Sequence, residues 1–122
     1  MGKTVLLVDD EPDILQVVGY RLEKAGYRVV SCANGEDALR MVKEVAPDLV
    51  LLDAMMPGID GFDVCRRLKN QNSLQRVIIY TAKVDGVNAE RARDSGADDF
   101  TVKTVDLKYI LEAIGNLVVD DE

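Results

Sequence analysis

Five side chains stand where chemistry is within reach: Asp9, Asp10, Asp53, Thr81 and Lys103. Three carboxylates brought together repel, and each raises the pKa of the others unless a cation neutralises them. With hard oxygen ligands, no histidine in the chain and no competent thiolate, that cation is Mg2+ or Mn2+. An open, partly hydrated site favours Mg2+ over a Ca2+ cage, and the EF-hand spacing is absent. A lysine and a hydroxyl facing the same ion suit a tetrahedral oxyanion, with Mg2+, Lys103 and Thr81 each taking an oxygen of a phosphoryl group. Asp53 is then a nucleophile whose attack on phosphorus gives an aspartyl phosphate. Taken singly, each residue has a plainer explanation. Asp9 and Asp10 favour a helix start, Thr81 satisfies backbone at a strand end, and Lys103 is a solvated lysine. Only a fold that gathers them turns them into a site.

The alternation of apolar runs and amphipathic stretches supplies such a fold. Residues 4–8 form a short, partly β-branched run that stops at Asp9-Asp10, as a buried parallel strand does. Pro12 suits the first turn of a helix, Ile14, Val18, Leu22 and Ala25 recur at helical spacing, and Gly26 ends it. Residues 28–32 read as a second strand, Asn34-Gly35 as a turn, and Ala38, Leu39 and Val42 as a helical stripe ending before Pro47. A third strand over 49–52 runs into Asp53, and a turn-rich 57–61 leads into a helix carrying Phe62, Cys65 and Leu68. Strand four covers 77–80 and ends at Thr81; a weakly amphipathic helix around 89–95 is closed by Gly96; strand five covers 100–102 and runs into Lys103. Asp106 is placed to cap a last helix whose apolar face is Leu107, Ile110, Leu111, Ile114 and Leu117. Alternating strands and helices joined by short connections imply an α/β fold, a five-stranded parallel sheet with helices on both faces. The favoured strand order is 2-1-3-4-5, the flavodoxin-like, doubly wound arrangement, whose ligand crevice lies at the carboxyl ends of the strands. Because parallel strands share a direction, the five residues converge on one rim.

Composition narrows the function further. A chain of 122 residues with 48% apolar side chains and three prolines has one core, and it is read as a single domain over 1–122. A net charge of −7 repels phosphodiester backbones and anionic lipid, which argues against direct nucleic-acid or membrane binding. The lack of histidine removes His-based triads, His-ligated zinc and a phosphohistidine carrier role. Cys32 and Cys65 stand too far apart for a C-x-x-C site and read as packing residues. No apolar run approaches the ~18 residues of a membrane span, no signal peptide opens the chain, and a cytoplasmic location is expected.

Four segments carry a family resemblance: Val8-Asp9-Asp10-Glu11-Pro12, Leu51-Leu52-Asp53-Ala54-Met55-Met56-Pro57-Gly58-Ile59-Asp60-Gly61, Thr81-Ala82-Lys83 and Gly96-Ala97-Asp98-Asp99-Phe100. Together they resemble the receiver domains of two-component response regulators, over essentially the whole chain. The resemblance implies that Asp53 accepts a phosphoryl group from the phosphohistidine of a sensor histidine kinase or a phosphotransfer protein. It implies that Asp10 binds Mg2+ directly, Asp9 does so through water, and the Met55 backbone carbonyl adds a ligand. Thr81 would close on the phosphoryl group, Lys103 would pair with it, and Phe100 would be the aromatic switch residue. Readout would lie on the surface of the fourth helix, fifth strand and fifth helix. Such a domain catalyses only its own phosphorylation and dephosphorylation. Its output passes to a partner protein, a fused domain or a phosphorylation-dependent dimer, according to whether the domain stands alone or is excised from a longer regulator.

One departure bears on the site. Thr104 follows Lys103 where receivers usually carry proline with a cis peptide bond. A cis bond before threonine costs ~3 kcal/mol or more, against ~0.5 to 1 before proline, so the fold either sustains that strain or runs trans and redirects Lys103. Met55 and Lys83 also flank the expected path of an attacking water, and apolar Met55 is expected to slow hydrolysis of the phosphoryl group. Three rival readings use the same residues less well. A haloacid-dehalogenase-type phosphatase wants an acid two residues after its nucleophile, where Met55 stands. A flavin or nucleotide binder wants a glycine-rich first turn, which here is acidic. A degenerate receiver serving as an interaction module would have shed the reactive residues.

Overall fold

The computed structural model of the chain describes residues 2–82, 84–104 and 107–118. Five strands, β1 (Thr4–Val8), β2 (Arg28–Cys32), β3 (Leu49–Asp53), β4 (Arg76–Thr81) and β5 (Asp99–Val102), form one sheet in the order β2-β1-β3-β4-β5. Every pairing is parallel, as the alternation of elements requires. Between and after them run α1 (Pro12–Lys24), α2 (Gly35–Val45), α3 (Gly61–Gln71), α4 (Gly86–Asp94) and α5 (Lys108–Leu117). This is the flavodoxin-like arrangement expected from the sequence.

Strand alternation divides the core in two. Val5 and Leu7 of β1 face α1 and α5, packing with Val18, Leu22, Ile110 and Ile114. Leu6 and Val8 face the other way, against Ala38 of α2, Phe62 and Leu68 of α3 and Ala92 of α4. Both sets are fully or almost fully buried, and at about 1.5 to 3 kcal/mol for each large side chain this double layer is what holds the rim in place. No helix among the described residues is long and apolar enough to cross a membrane.

Local chemistry sets the element ends, with some differences from the sequence reading. The chain bends at Asn34 as expected, but Gly35 is already the first residue of α2, and the Asn34 side chain caps that helix by accepting from the Asp37 N–H at 2.8 Å. Helix α4 begins at Gly86, ahead of the expected start, because Asp85 caps it by accepting from the Asn88 N–H at 2.8 Å. Ala92 is its one buried residue, consistent with the weak apolar pattern. Gly96 closes α4 with φ +89, a left-handed turn that a side chain adopts only at a cost. Leu107 lies outside α5, immediately before it, with φ +58 and its side chain buried against the α1 and α5 face. Such a backbone costs about 1 to 3 kcal/mol for a non-glycine residue, and burial of the leucine offsets it. The capping role expected of Asp106 lies outside the described residues.

Candidate functional site

Register fixes the rim. Val8 pairs with Leu52, Asp53 with Tyr80, and Thr81 with Val102, so Asp9 and Asp53 leave adjacent strands at one level, and Thr81 and Lys103 leave the next two strands one and two residues further along the same rim. Backbone bonds lock the exits: the Asp9 N–H donates to the Cys32 carbonyl at 3.2 Å, Ala54 to Tyr80 at 2.9 Å, and Lys103 to Thr81 at 2.8 Å. Gly61 lets the turn after β3 fold back tightly. A Cβ there would collide with the carbonyl oxygen of Asp53, and the Gly61 N–H donates to the Ala54 carbonyl at 3.0 Å.

Asp9 is completely buried, Asp53 is 3% exposed and Asp10 is open to solvent. One carboxylate oxygen of each lies within 4.8 Å of the others, a spacing that suits shared ligation of one cation. Asp9 Oδ1 accepts from the Glu11 N–H at 2.9 Å, so this carboxylate also supports the start of α1, as the plainer reading of Asp9-Asp10 held. Its Oδ2 accepts from Lys103 Nζ at 3.0 Å and from the Tyr80 hydroxyl at 2.5 Å. Asp53 Oδ1 accepts from the Met55 N–H at 3.2 Å and lies 3.4 Å from Lys103 Nζ. Glu11 is 4.0 Å from the same ammonium and largely exposed.

These distances set the electrostatics. Burial, and then the charge of Asp9, push the Asp53 carboxyl up to about 6, against the opposing pull of Lys103 and the Met55 N–H. Burial alone would lower the Lys103 ammonium, but the hydrogen bond to Asp9 and the charges of Asp53 and Asp9 hold it above its usual value. Burial and the bond to Asp9 push the Tyr80 phenol well above its ordinary range. The pocket thus carries more negative charge than its lysine neutralises, and its donors are hard oxygens. That is the chemistry of a site for Mg2+ or a similar ion.

The Lys103–Thr104 peptide bond is trans. Lys103 nevertheless reaches both buried carboxylates, so a trans bond before Thr104 is compatible with an inward-pointing lysine. Thr81 is 4% exposed at the end of β4. Phe100 pairs with Ile79 across the β4–β5 ladder and is half-buried against the face covered by α2, α3 and α4. Met55 is 61% exposed and its N–H donates to Asp53, whereas Lys83, expected to flank the same approach, lies outside the described residues. Cys32 and Cys65 are free thiols that burial pushes up, to about 11 for Cys32, which suits packing and not reactivity. Sequence reasoning missed Tyr80. Its one signal is a phenol inside a β-branched strand, where a buried hydroxyl must find a partner.

A family model described as the response regulator receiver domain matches residues 5–115. The transcriptional regulatory protein AfsQ1 of Streptomyces coelicolor is 42% identical over 102 residues, covering 84% of this chain and 45% of that protein. The alkaline phosphatase synthesis transcriptional regulatory protein PhoP of Bacillus subtilis is 38% identical over 103 residues, covering 84% and 43%. The chain spans about half the length of the curated relatives it matches. Among solved structures, the response regulator TrrA of Thermotoga maritima, in complex with Mg2+–BeF, superposes with a TM-score of 0.89 at 31% identity, covering 95% of this chain and 99% of that one.

Proposed function

Because the chain belongs to the response regulator receiver domain family, we propose that its carboxyl-end rim is a Mg2+-dependent phosphoacceptor site with Asp53 as the acceptor. The observation that carries this reading is the meeting of Asp9, Asp10 and Asp53 around Lys103, with Asp53 buried and raised to about 6. At neutral pH Asp53 is largely ionised, yet more basic than an ordinary carboxylate and so a better nucleophile. One carboxylate oxygen attacks the phosphorus of a kinase or phosphotransfer-protein phosphohistidine. The P–N bond breaks, the imidazole leaves with its electron pair and takes up a proton, and an acyl phosphate forms on Asp53.

The Met55 N–H orients Asp53 Oδ1 before the reaction. Lys103 already lies between the two buried carboxylates, and it transfers its charge to the incoming phosphoryl oxygens with little movement. Mg2+ held by Asp9, Asp10, Asp53 and the Met55 carbonyl supplies, when bound, further positive charge for the carboxylates and the phosphoryl group, and Mn2+ substitutes for it. Thr81 closes on a phosphoryl oxygen, and Phe100 follows as the switch residue, biasing a two-state equilibrium at the surface of α4, β5 and α5. The domain catalyses only its own phosphorylation and dephosphorylation. Residues 1–122 act as one receiver, stand-alone or excised, in the cytoplasm. Output passes to a separate protein, to a fused domain as the names of the transcriptional relatives suggest, or to a phosphorylation-dependent dimer.

Intact-mass measurement after incubation with acetyl phosphate tests the reading. The parent chain should gain one labile phosphoryl mass with Mg2+, none with a chelator, and none as Asp53→Asn. A folded, Mg2+-binding parent that gains nothing from acetyl phosphate or a phosphorylated histidine donor would overturn it. Met55→Asn should shorten the half-life of the phosphorylated form, because an exposed apolar side chain beside the acceptor is replaced by one that orients water. An unchanged dephosphorylation rate would remove Met55 from the account of signal lifetime.

A further inference from the structure

Tyr80 has no assigned part in the phosphoacceptor site, yet its hydroxyl makes a short hydrogen bond to one of the site's buried carboxylates. The tyrosine is fully buried in the layer beneath α1 and α5, while its hydroxyl points up to the rim and donates to Asp9 Oδ2 at 2.5 Å. Lys103 Nζ donates to the same oxygen at 3.0 Å and sits 4.7 Å above the Tyr80 ring. With Oδ1 engaged by the Glu11 N–H at 2.9 Å, both oxygens of Asp9 already accept hydrogen bonds, and Oδ2 accepts two.

We infer that Tyr80 is a positioning residue that holds Asp9 Oδ2 against the β4 side of the pocket and so weakens the site's grip on a divalent cation. Two physical facts set the sign. A hydrogen bond to an ionised carboxylate disperses the charge that a cation would draw on, and it stabilises the cation-free pocket more than the loaded one. A phenol in a fully buried position also resists any turn of Asp9 away from it, since its hydroxyl would lose its acceptor in a place water does not reach. No described buried side-chain polar atom is left without a hydrogen-bond partner, so the buried carboxylates are hydrogen-bonded before any cation enters, although their charge is not balanced. The inference rests on the reading of the rim as a Mg2+ site. It adds that this chain sets its Mg2+ affinity from below, through a residue that is not itself a ligand.

The test is the Mg2+ affinity of the parent and of Tyr80→Phe, followed by amide NMR shifts of the whole chain without any phosphoryl donor. The phenylalanine keeps the ring and loses only the hydroxyl. Removing a charge-assisted hydrogen bond should tighten Mg2+ binding by roughly three- to tenfold. A merely structural tyrosine would give the opposite or no change, because a loosened pocket binds less. Equal or weaker affinity in Tyr80→Phe therefore overturns the inference. A second readout uses the parent chain with 13C-labelled tyrosine: of its four tyrosines, the Cζ resonance of Tyr80 should shift with the same midpoint as the amide titration. A Tyr80 resonance that ignores Mg2+ also overturns it. A parent that binds no Mg2+ at all removes the metal site itself and the inference with it, whereas a parent that binds normally beside an unchanged Tyr80→Phe removes the inference alone.

Discussion

The two ends of the sheet use the same residue types in opposite ways. At the amino end, the single carboxylate of Asp98 accepts from the Val77 N–H at 2.8 Å and pairs with Lys69 at 2.8 Å and Arg76 at 3.5 Å. Asp48 there accepts from the Thr4 N–H at 2.7 Å, and Gln75 donates to the Pro47 carbonyl at 3.2 Å. At the carboxyl end, Lys103 serves two buried carboxylates with a third beside them. Among the described residues, two cations for one anion make a staple, whereas one lysine among three aspartates leaves a charge that folding alone does not need. Burying like charges together is costly, so a rim that does so stores an electrostatic demand for something positive.

Substitutions at the two ends should separate these roles. The largest effect on stability is expected at the staple: Asp98→Ala should cost about 2 to 3 kcal/mol in urea unfolding, because it strips an acceptor from a backbone N–H and a partner from two cations, and it should leave phosphoryl uptake intact. Loss of uptake with unchanged stability would erase the distinction.

Asp53→Asn should act in the opposite direction. The native pKa near 6 lies above the ordinary value of 3.8, so the ionised carboxylate destabilises the fold above pH 6, and the penalty fades as pH falls from 6 towards 3.8. In Mg2+-free buffer the asparagine variant should therefore be more stable at pH 8 by about 1 to 2 kcal/mol, with most of that gain gone by pH 4.5. Thermal melts of the two proteins at both pH values decide it; a gain independent of pH would assign the effect to packing.

Smaller effects sharpen the same contrast. At ten times its dissociation constant, Mg2+ should stabilise the parent by about 1.4 kcal/mol and Asp10→Asn by less at the same concentration, as read from melting temperature. Equal stabilisation would place the ion outside the acidic rim. The smallest expected change is at Asn34, a cap that also sits at the carboxyl end of the sheet but bonds to Asp37 and not to the aspartate cluster. Asn34→Ala should cost about 1 kcal/mol and leave the Mg2+-dependent stabilisation unaltered.

Much of this was legible in the sequence because strand ends are written in charge. Residues 4–8 coincide with β1, since an apolar run stopped by Asp9-Asp10 leaves little freedom in where pairing ends, and residues 28–32 coincide with β2. The convergence of Asp9, Asp53 and Lys103 followed from parallel strands alone, and their register places them on one rim within two residues of a common level. Four features were hidden for physical reasons. Asn34 has side-chain chemistry that serves turns and caps alike, and tertiary context chose the cap. Helix α4 buries only Ala92 among its residues, so periodicity marked its end better than its beginning at Asp85. The isomer of the Lys103–Thr104 bond depends on the loop around it, not on residue type. Tyr80 looked like packing because its ring does pack; only the neighbouring Asp9 in the folded chain shows where the hydroxyl goes.

The central claim is that the surplus charge at the carboxyl rim exists for a covalent event at Asp53. Borohydride trapping tests it most directly: the chain is incubated with acetyl phosphate and Mg2+, reduced so that an aspartyl phosphate becomes homoserine, and mapped by peptide mass spectrometry. The expected result is homoserine at position 53 and at no other carboxylate, abolished by a chelator. Homoserine at Asp9 or Asp10 instead, or at Asp53 without any need for Mg2+, would contradict it.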